Sequence, residues 1–72
     1  MTADEMFEEL GYKKSICEDG NSEEFINKEE NRNIDFYYEF KEIGIKQYSV
    51  TMQELKAINK KCEELGWLDD KC

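Results

Sequence analysis

The chain has 72 residues, 18 acidic and 10 basic, for a formal net charge of −8. It contains no His, which excludes a histidine general base, a Ser-His-Asp triad and any His-containing zinc site within these residues. A chain this short closes around one small core with little cleft, and its apolar and charged fractions are equal at 39% each.

The first predicted element is a helix from Thr2 to Gly11. Thr2-Ala3-Asp4-Glu5 reads as a capping box, and Ala3, Met6, Phe7 and Leu10 recur at helical spacing. Gly11 suits the left-handed closing position, with Tyr12 folding back on the last turn. A weaker strand follows at Lys13–Cys17, at Glu24–Lys28, or at both, with Asp19-Gly20-Asn21-Ser22 as a turn cluster. After a polar loop at Glu29–Asn33, the residues Ile34, Phe36, Tyr38 and Phe40 alternate with Asp35, Tyr37 and Glu39, the pattern of a half-buried strand. Lys41-Glu42 is short enough for a hairpin turn. Ile43, Ile45, Tyr48 and Val50 predict a further strand whose phase slips at a bulge near Lys46-Gln47. The last element is a helix from Thr51 to Gly66, capped by Thr51-Met52-Gln53-Glu54, with Leu55, Ile58, Cys62 and Leu65 as its apolar stripe. The expected fold class is α+β: a helix, a short antiparallel meander of two or three strands, and a helix, with both helices on one face of the sheet. Residues 1–68 are expected to form a single compact domain and residues 69–72 a flexible C-terminal tail.

The charge is unevenly placed. Residues 1–30 hold ten acids and three bases, a net of −7, and the remainder a net of −1. On the first helix Asp4, Glu5, Glu8 and Glu9 lie opposite the apolar stripe. They form two like-charged i, i+4 columns with no base among them. Glu8 and Glu9 also sit at the negative end of the helix dipole. Such a face either keeps a small protein soluble or meets a cationic surface. Glu18, Asp19, Glu23 and Glu24 continue the acidic run, and most acids of the chain occur as adjacent pairs that could imitate the closely spaced phosphates of DNA. Tyr37, exposed among acids on the face opposite the core stripe, suits contact with Arg. These residues are the candidate partner-binding set. They point to a basic partner and disfavour direct nucleic-acid binding, which needs a basic footprint. The mechanism requires the carboxylates of residues 4–30 to converge on one side of the fold.

No catalytic residue, metal ligand or cofactor is expected. The stretch Glu18–Glu24 alternates oxygen ligands, but its Gly comes at the wrong place for a calcium loop. Cys17, Cys62 and Cys72 match no metal spacing, and Cys62 falls within a core stripe. Met1-Thr2-Ala3-Asp4-Glu5 does not read as a signal peptide, and the longest apolar run, Phe36–Tyr38, is far too short for a membrane span, so free thiols in a reducing cytoplasm are expected.

Residues 3–12, Ala-Asp-Glu-Met-Phe-Glu-Glu-Leu-Gly-Tyr, and residues 51–67, Thr-Met-Gln-Glu-Leu-Lys-Ala-Ile-Asn-Lys-Lys-Cys-Glu-Glu-Leu-Gly-Trp, resemble the two ends of small proteins encoded by phages and prophages of Firmicutes. The resemblance covers 27 of 72 residues and carries no catalytic residue. It implies a mobile-element protein of the host bacterial cytoplasm, and proteins of this kind include inhibitors of host defence, anti-CRISPR proteins among them. The expectation is therefore a phage-encoded inhibitor that binds an effector nuclease and blocks its DNA or RNA binding through an acidic surface. Two alternatives stay open: a self-associating accessory or regulatory protein, as a possible homodimer, and a binder of a small ligand between the sheet and the second helix.

Overall fold

A computed structural model describes residues 1–68. Its elements run α1 (Ala3–Glu9), β1 (Lys13–Ile16), β2 (Ser22–Asn27), β3 (Arg32–Tyr37), β4 (Glu42–Ile45) and α2 (Met52–Glu64). The strands form one antiparallel meander in the order β1-β2-β3-β4. The class is α+β, as expected. Both upstream segments are strands, so the sheet has four strands and not two or three. The tail expected at 69–72, with Cys72, lies outside the described residues.

Helix ends are set by local chemistry. Thr2 and Thr51 both form complete capping boxes, with Glu5 and Glu54 returning the hydrogen bond. Both C-termini close as Schellman motifs. Gly11 N donates to Glu8 O at 3.0 Å and Tyr12 N to Phe7 O at 3.0 Å. The pair Gly66 N to Glu63 O and Trp67 N to Cys62 O, at 3.1 and 2.9 Å, repeats the motif at α2. Gly11 takes φ +92°, and a Cβ there would lie 2.9 Å from Asn27 Nδ2. Gly11→Ala is therefore expected to destabilise the fold by about 1–2 kcal/mol, seen as a lower urea midpoint with an unchanged slope.

The core lies on one face of the sheet. The register pairs Phe25 with Ile34 and Phe36 with Ile43, which sends these side chains to the same side. Phe7 of α1 stacks on Phe25 at 4.2 Å and meets Phe36 and Tyr12 edge-on at 6.1 and 5.5 Å. Ala57, Ile58 and Cys62 of α2 complete the cluster, so both helices cover that face. No helix among the described residues covers the other.

Several details differ from the sequence expectation: β3 begins at Arg32, inside the expected Glu29–Asn33 loop, because Arg32 and Asn33 pair with Asn27 and Ile26, and Glu42 opens β4 instead of sitting in the hairpin turn. β3 ends at Tyr37, because Lys41 adopts φ +53° and closes a turn over Tyr38–Lys41. Phe40 continues the alternation in sequence only, and stands 70% exposed. β4 ends at Ile45, so the phase slip at Lys46-Gln47 marks the strand's end and not a bulge; Tyr48 and Val50 are exposed. On α2 the buried arc is Glu54, Ala57, Ile58, Lys61 and Cys62, while Leu55 is half exposed. The arc is rotated because Glu54 and Lys61 each find opposite charges beneath the helix.

Candidate functional site

Two of the expected partner-binding acids are tied up in ion pairs, Glu23 buried and Asp4 partly exposed. Lys61 of α2 contacts Glu23 Oε1 directly and Asp4 Oδ1 at 3.1 Å. Lys14 of β1 contacts Asp4 Oδ2 at 2.8 Å and Glu23 Oε2 at 3.4 Å. Tyr38 donates its hydroxyl to Glu23 Oε2 at 2.7 Å. Burial raises the Asp4 carboxyl, but Lys14 and Lys61 more than offset this and hold it below its ordinary value. Burial and Glu23 together push the Tyr38 hydroxyl up. Asp4 and Glu23 therefore bind α1, α2 and the β1–β2 hairpin to one another; Glu23 is buried, while Asp4 is ion-paired with 43% of its side chain exposed.

A second internal cluster joins the other end of α2 to the sheet. The carboxylate of Glu54 accepts from Tyr12 Oη at 2.5 Å, from Arg32 Nε and Nη2 at 2.6 and 2.8 Å, from Gln47 Nε2 at 2.9 Å and from Thr51 N at 2.9 Å. Burial alone would raise this carboxyl, yet the donors, Arg32 foremost, hold it at about 2. The Tyr12 hydroxyl is pushed up to about 12 by burial and by Glu54.

The other candidates stay near the surface but do not share one surface. Glu5 is exposed, with Oε1 accepting from Thr2 N at 2.7 Å, and Glu8 and Glu9 are exposed on the same short helix. Glu18 and Asp19 lie in the β1–β2 connection, where Asp19 Oδ1 accepts from Asn21 N at 2.9 Å; the calcium-like stretch is thus a local turn. Glu24 and Tyr37 project from the uncovered face of the sheet. The carboxylates of residues 4–30 therefore do not converge. The reason is geometric: adjacent residues of a strand point to opposite faces, so the pair Glu23-Glu24 is split through the sheet. Glu29 and Glu30, at the far end of β2, are roughly 20 Å from the Glu18-Asp19 turn at the rise of an extended strand. The sheet thus divides Glu23 from Glu24 between its two faces and sets Glu18-Asp19 and Glu29-Glu30 at opposite ends of β2.

What the structure does bring together is a polar group on the uncovered face. Glu24 and Asp35 are direct cross-strand partners, a like-charged pair that destabilises a sheet when left alone. Asp35 is only 3% exposed although no described helix covers it. Tyr37 donates its hydroxyl to Asp35 Oδ2 at 3.0 Å, and Lys46 lies 3.2 Å from the same oxygen. The hydrogen bond to Asp35 pushes the Tyr37 hydroxyl up, and the same carboxylate raises the Lys46 ammonium. The Tyr37 ring lies over Gly44, where an added Cβ would meet it at 3.1 Å, so the absence of a side chain there lets the ring lie down on the sheet. Asp35 Oδ1 and Asn33 Oδ1 are buried and accept no hydrogen bond from the described residues. Ser15, Cys17, Ser22, Glu24, Asp35, Tyr37 and Lys46 surround a cavity of about 150 Å³.

Asp35 was not among the sequence candidates. Its burial depends on Tyr37 and on Lys46, which come from two different strands or strand ends, and no periodicity encodes that. The space between the sheet and α2, where a small ligand was one alternative, is filled by Phe25, Phe36, Ala57 and Ile58. Among the described residues no cluster of His, Cys, Asp and Glu could hold a metal ion. Burial pushes the Cys62 thiol up, against a nucleophilic role, and Cys17 is exposed. No described helix is long and apolar enough to cross a membrane. No protein-family model, curated protein or solved structure matches the chain.

Proposed function

We propose that the chain is a non-enzymatic binding protein for a basic partner, acting as an inhibitor of a nucleic-acid-handling defence protein of the host bacterium. The observation that carries the reading is the outer side of α1, where Glu8 and Glu9 are exposed at the negative end of the helix dipole with no ion pair among the described residues. Like charges at Glu5/Glu9 spacing, and two carboxylates at that end of a helix, work against stability. A small domain that keeps them presents a compact negative ridge to a cationic surface. The acidic surface of this proposal is this ridge, with Glu18 and Asp19 as a separate exposed pair, in place of one continuous patch. The phage-like ends suggest the class of target, a nuclease of an anti-phage system.

The test separates stability from binding. Glu8→Lys/Glu9→Lys is expected to raise the thermal midpoint slightly, because it removes the Glu5/Glu9 repulsion and places cations at the helix C-terminus, worth about 0.3–1 kcal/mol. The same variant is expected to lose capture of the basic protein that the unaltered chain retains from bacterial lysate, identified by mass spectrometry. Retention of the same partner by both proteins, or of none by the unaltered chain, would overturn the reading.

A further inference from the structure

We propose that the cavity on the uncovered face of the sheet is a receptor for one guanidinium group, carried by an arginine side chain of a partner protein, which enters beside the Tyr37 ring and donates to Asp35 Oδ1 and Glu24.

The argument starts from what the site lacks. Asp35 is almost wholly buried, and a buried carboxylate is stable only when its oxygens are supplied with donors. Among the described residues Oδ2 has two, from Tyr37 and Lys46, and Oδ1 has none. Its cross-strand partner Glu24 has one long bond, accepting from Asn33 Nδ2 at 3.4 Å. Asn33 Oδ1 is a second buried acceptor without a donor. Asn33 lies beside the cavity and not in its wall; the wall itself sets two carboxylates, Asp35 and Glu24, against a single ammonium, with the hydroxyls of Ser15 and Ser22 at its edge.

The shape selects the chemistry of the occupant. A guanidinium is planar, presents five N–H donors in a fixed fork and stacks on aromatic rings. Two carboxylates on neighbouring strands and a tyrosine ring flattened over Gly44 match those properties. An ammonium is a compact point charge, and Lys46 already supplies one without satisfying Oδ1. A metal ion is not selected, since the described residues hold no suitable cluster. Lys46 is the movable part: its side chain is 61% exposed, so an incoming arginine can displace it from Asp35. Lys46 then acts as a built-in competitor that the partner's arginine replaces.

This inference adds a contact to the binding-protein reading but uses the face opposite the helices, so the two fail separately. The experiment is an NMR titration of the isotope-labelled full chain with N-acetyl-arginine amide and, in parallel, N-acetyl-lysine amide. Saturable shifts are expected at the amides of Ser15, Ser22, Glu24, Asp35 and Tyr37 with the arginine probe, at a Kd on the order of millimolar. The lysine probe is expected to bind about tenfold more weakly, lacking the fork. Glu24→Gln, which leaves the buried ion pairs intact, is expected to weaken arginine binding about tenfold. Lys46→Met is expected to strengthen it, because the competing cation is gone; a merely structural role for Lys46 would not do so. Asp35→Asn is expected to abolish binding, and if that variant does not fold, the opposed effects at Glu24 and Lys46 decide. Absence of saturable shifts, equal response to both probes, or shifts centred on Glu8 and Glu9 would each overturn the proposal. Glu8→Lys/Glu9→Lys is expected to leave the titration unchanged.

Discussion

Glu54→Ala is expected to lower the stability of the chain by about 3–5 kcal/mol, close to the whole margin of a domain this small, and so to leave much of it unfolded at room temperature. The Glu54 carboxylate receives donors from α1's closing residue, from β3, from the β4–α2 connection and from its own helix cap. Removing it strands the Arg32 guanidinium and the Tyr12 hydroxyl in a half-buried place, and opens the first turn of α2 at the same time. Glu54→Gln keeps the shape and loses the charge, which isolates the electrostatic part. The sign follows from the carboxyl being held at about 2 against an ordinary 4.5. A depressed carboxyl contributes in full above the ordinary value and loses its contribution as pH falls from there towards about 2. The amount is on the order of 3 kcal/mol, the shift converted at about 1.4 kcal/mol per unit. At the alkaline end the Tyr12 hydroxyl, raised from 10 to about 12, protects the fold below pH 10 and ceases to as pH rises through about 12. Urea unfolding followed by circular dichroism across pH 2–7 is expected to show a steep acid limb that flattens in Glu54→Gln. An identical limb in both proteins would show that Glu54 does not carry it.

The second large effect is expected at the other ionic cluster, where the sign of a double substitution matters more than the size of a single one. Glu23→Ala leaves the Lys61 ammonium buried beside the Phe25 ring with Asp4 as its remaining partner, and is expected to cost about 3–5 kcal/mol. Glu23→Leu/Lys61→Leu is expected to recover part of that loss, the remainder being the Tyr38 hydroxyl left without its Glu23 acceptor. Lys14 and Asp4 still pair with each other at 2.8 Å, and the apolar replacements extend the Phe7–Phe25–Phe36 core towards α2. A double-mutant cycle measured by urea unfolding checks this, with a coupling energy of about 2 kcal/mol or more expected. Additive losses would show that the two charges act independently.

These clusters also explain which parts of the architecture were legible in advance. The capping boxes at Thr2 and Thr51 and the glycine closures at Gly11 and Gly66 form as the sequence predicts, because each depends on hydrogen bonds within four or five residues. β2 was harder to place, since its inward positions are Glu23, Phe25 and Asn27, and one apolar side chain in three makes a weak alternation. The turn at Tyr38–Lys41 was masked for the opposite reason: Phe40 keeps the apolar rhythm after the strand has ended. Glu54 could be read as a cap, but not as the partner of Tyr12 and Arg32, which lie 42 and 22 residues away along the chain.

The charge shows the same division. That the opening thirty residues are strongly acidic, that α1 has an acidic outer face, and that Tyr37 stands opposite the core were all determined by the order of residues, because composition and the two periodicities are local properties. Which acids remain available was decided only when the strands paired and α2 packed down. The pleat sent Glu23 inward to Lys61 and Glu24 outward to Asp35, and the hairpin set Asp4 between two lysines. A sequence counts charges, but whether a charge is neutralised depends on what sits a few ångströms away in space, and those neighbours come from distant parts of the chain.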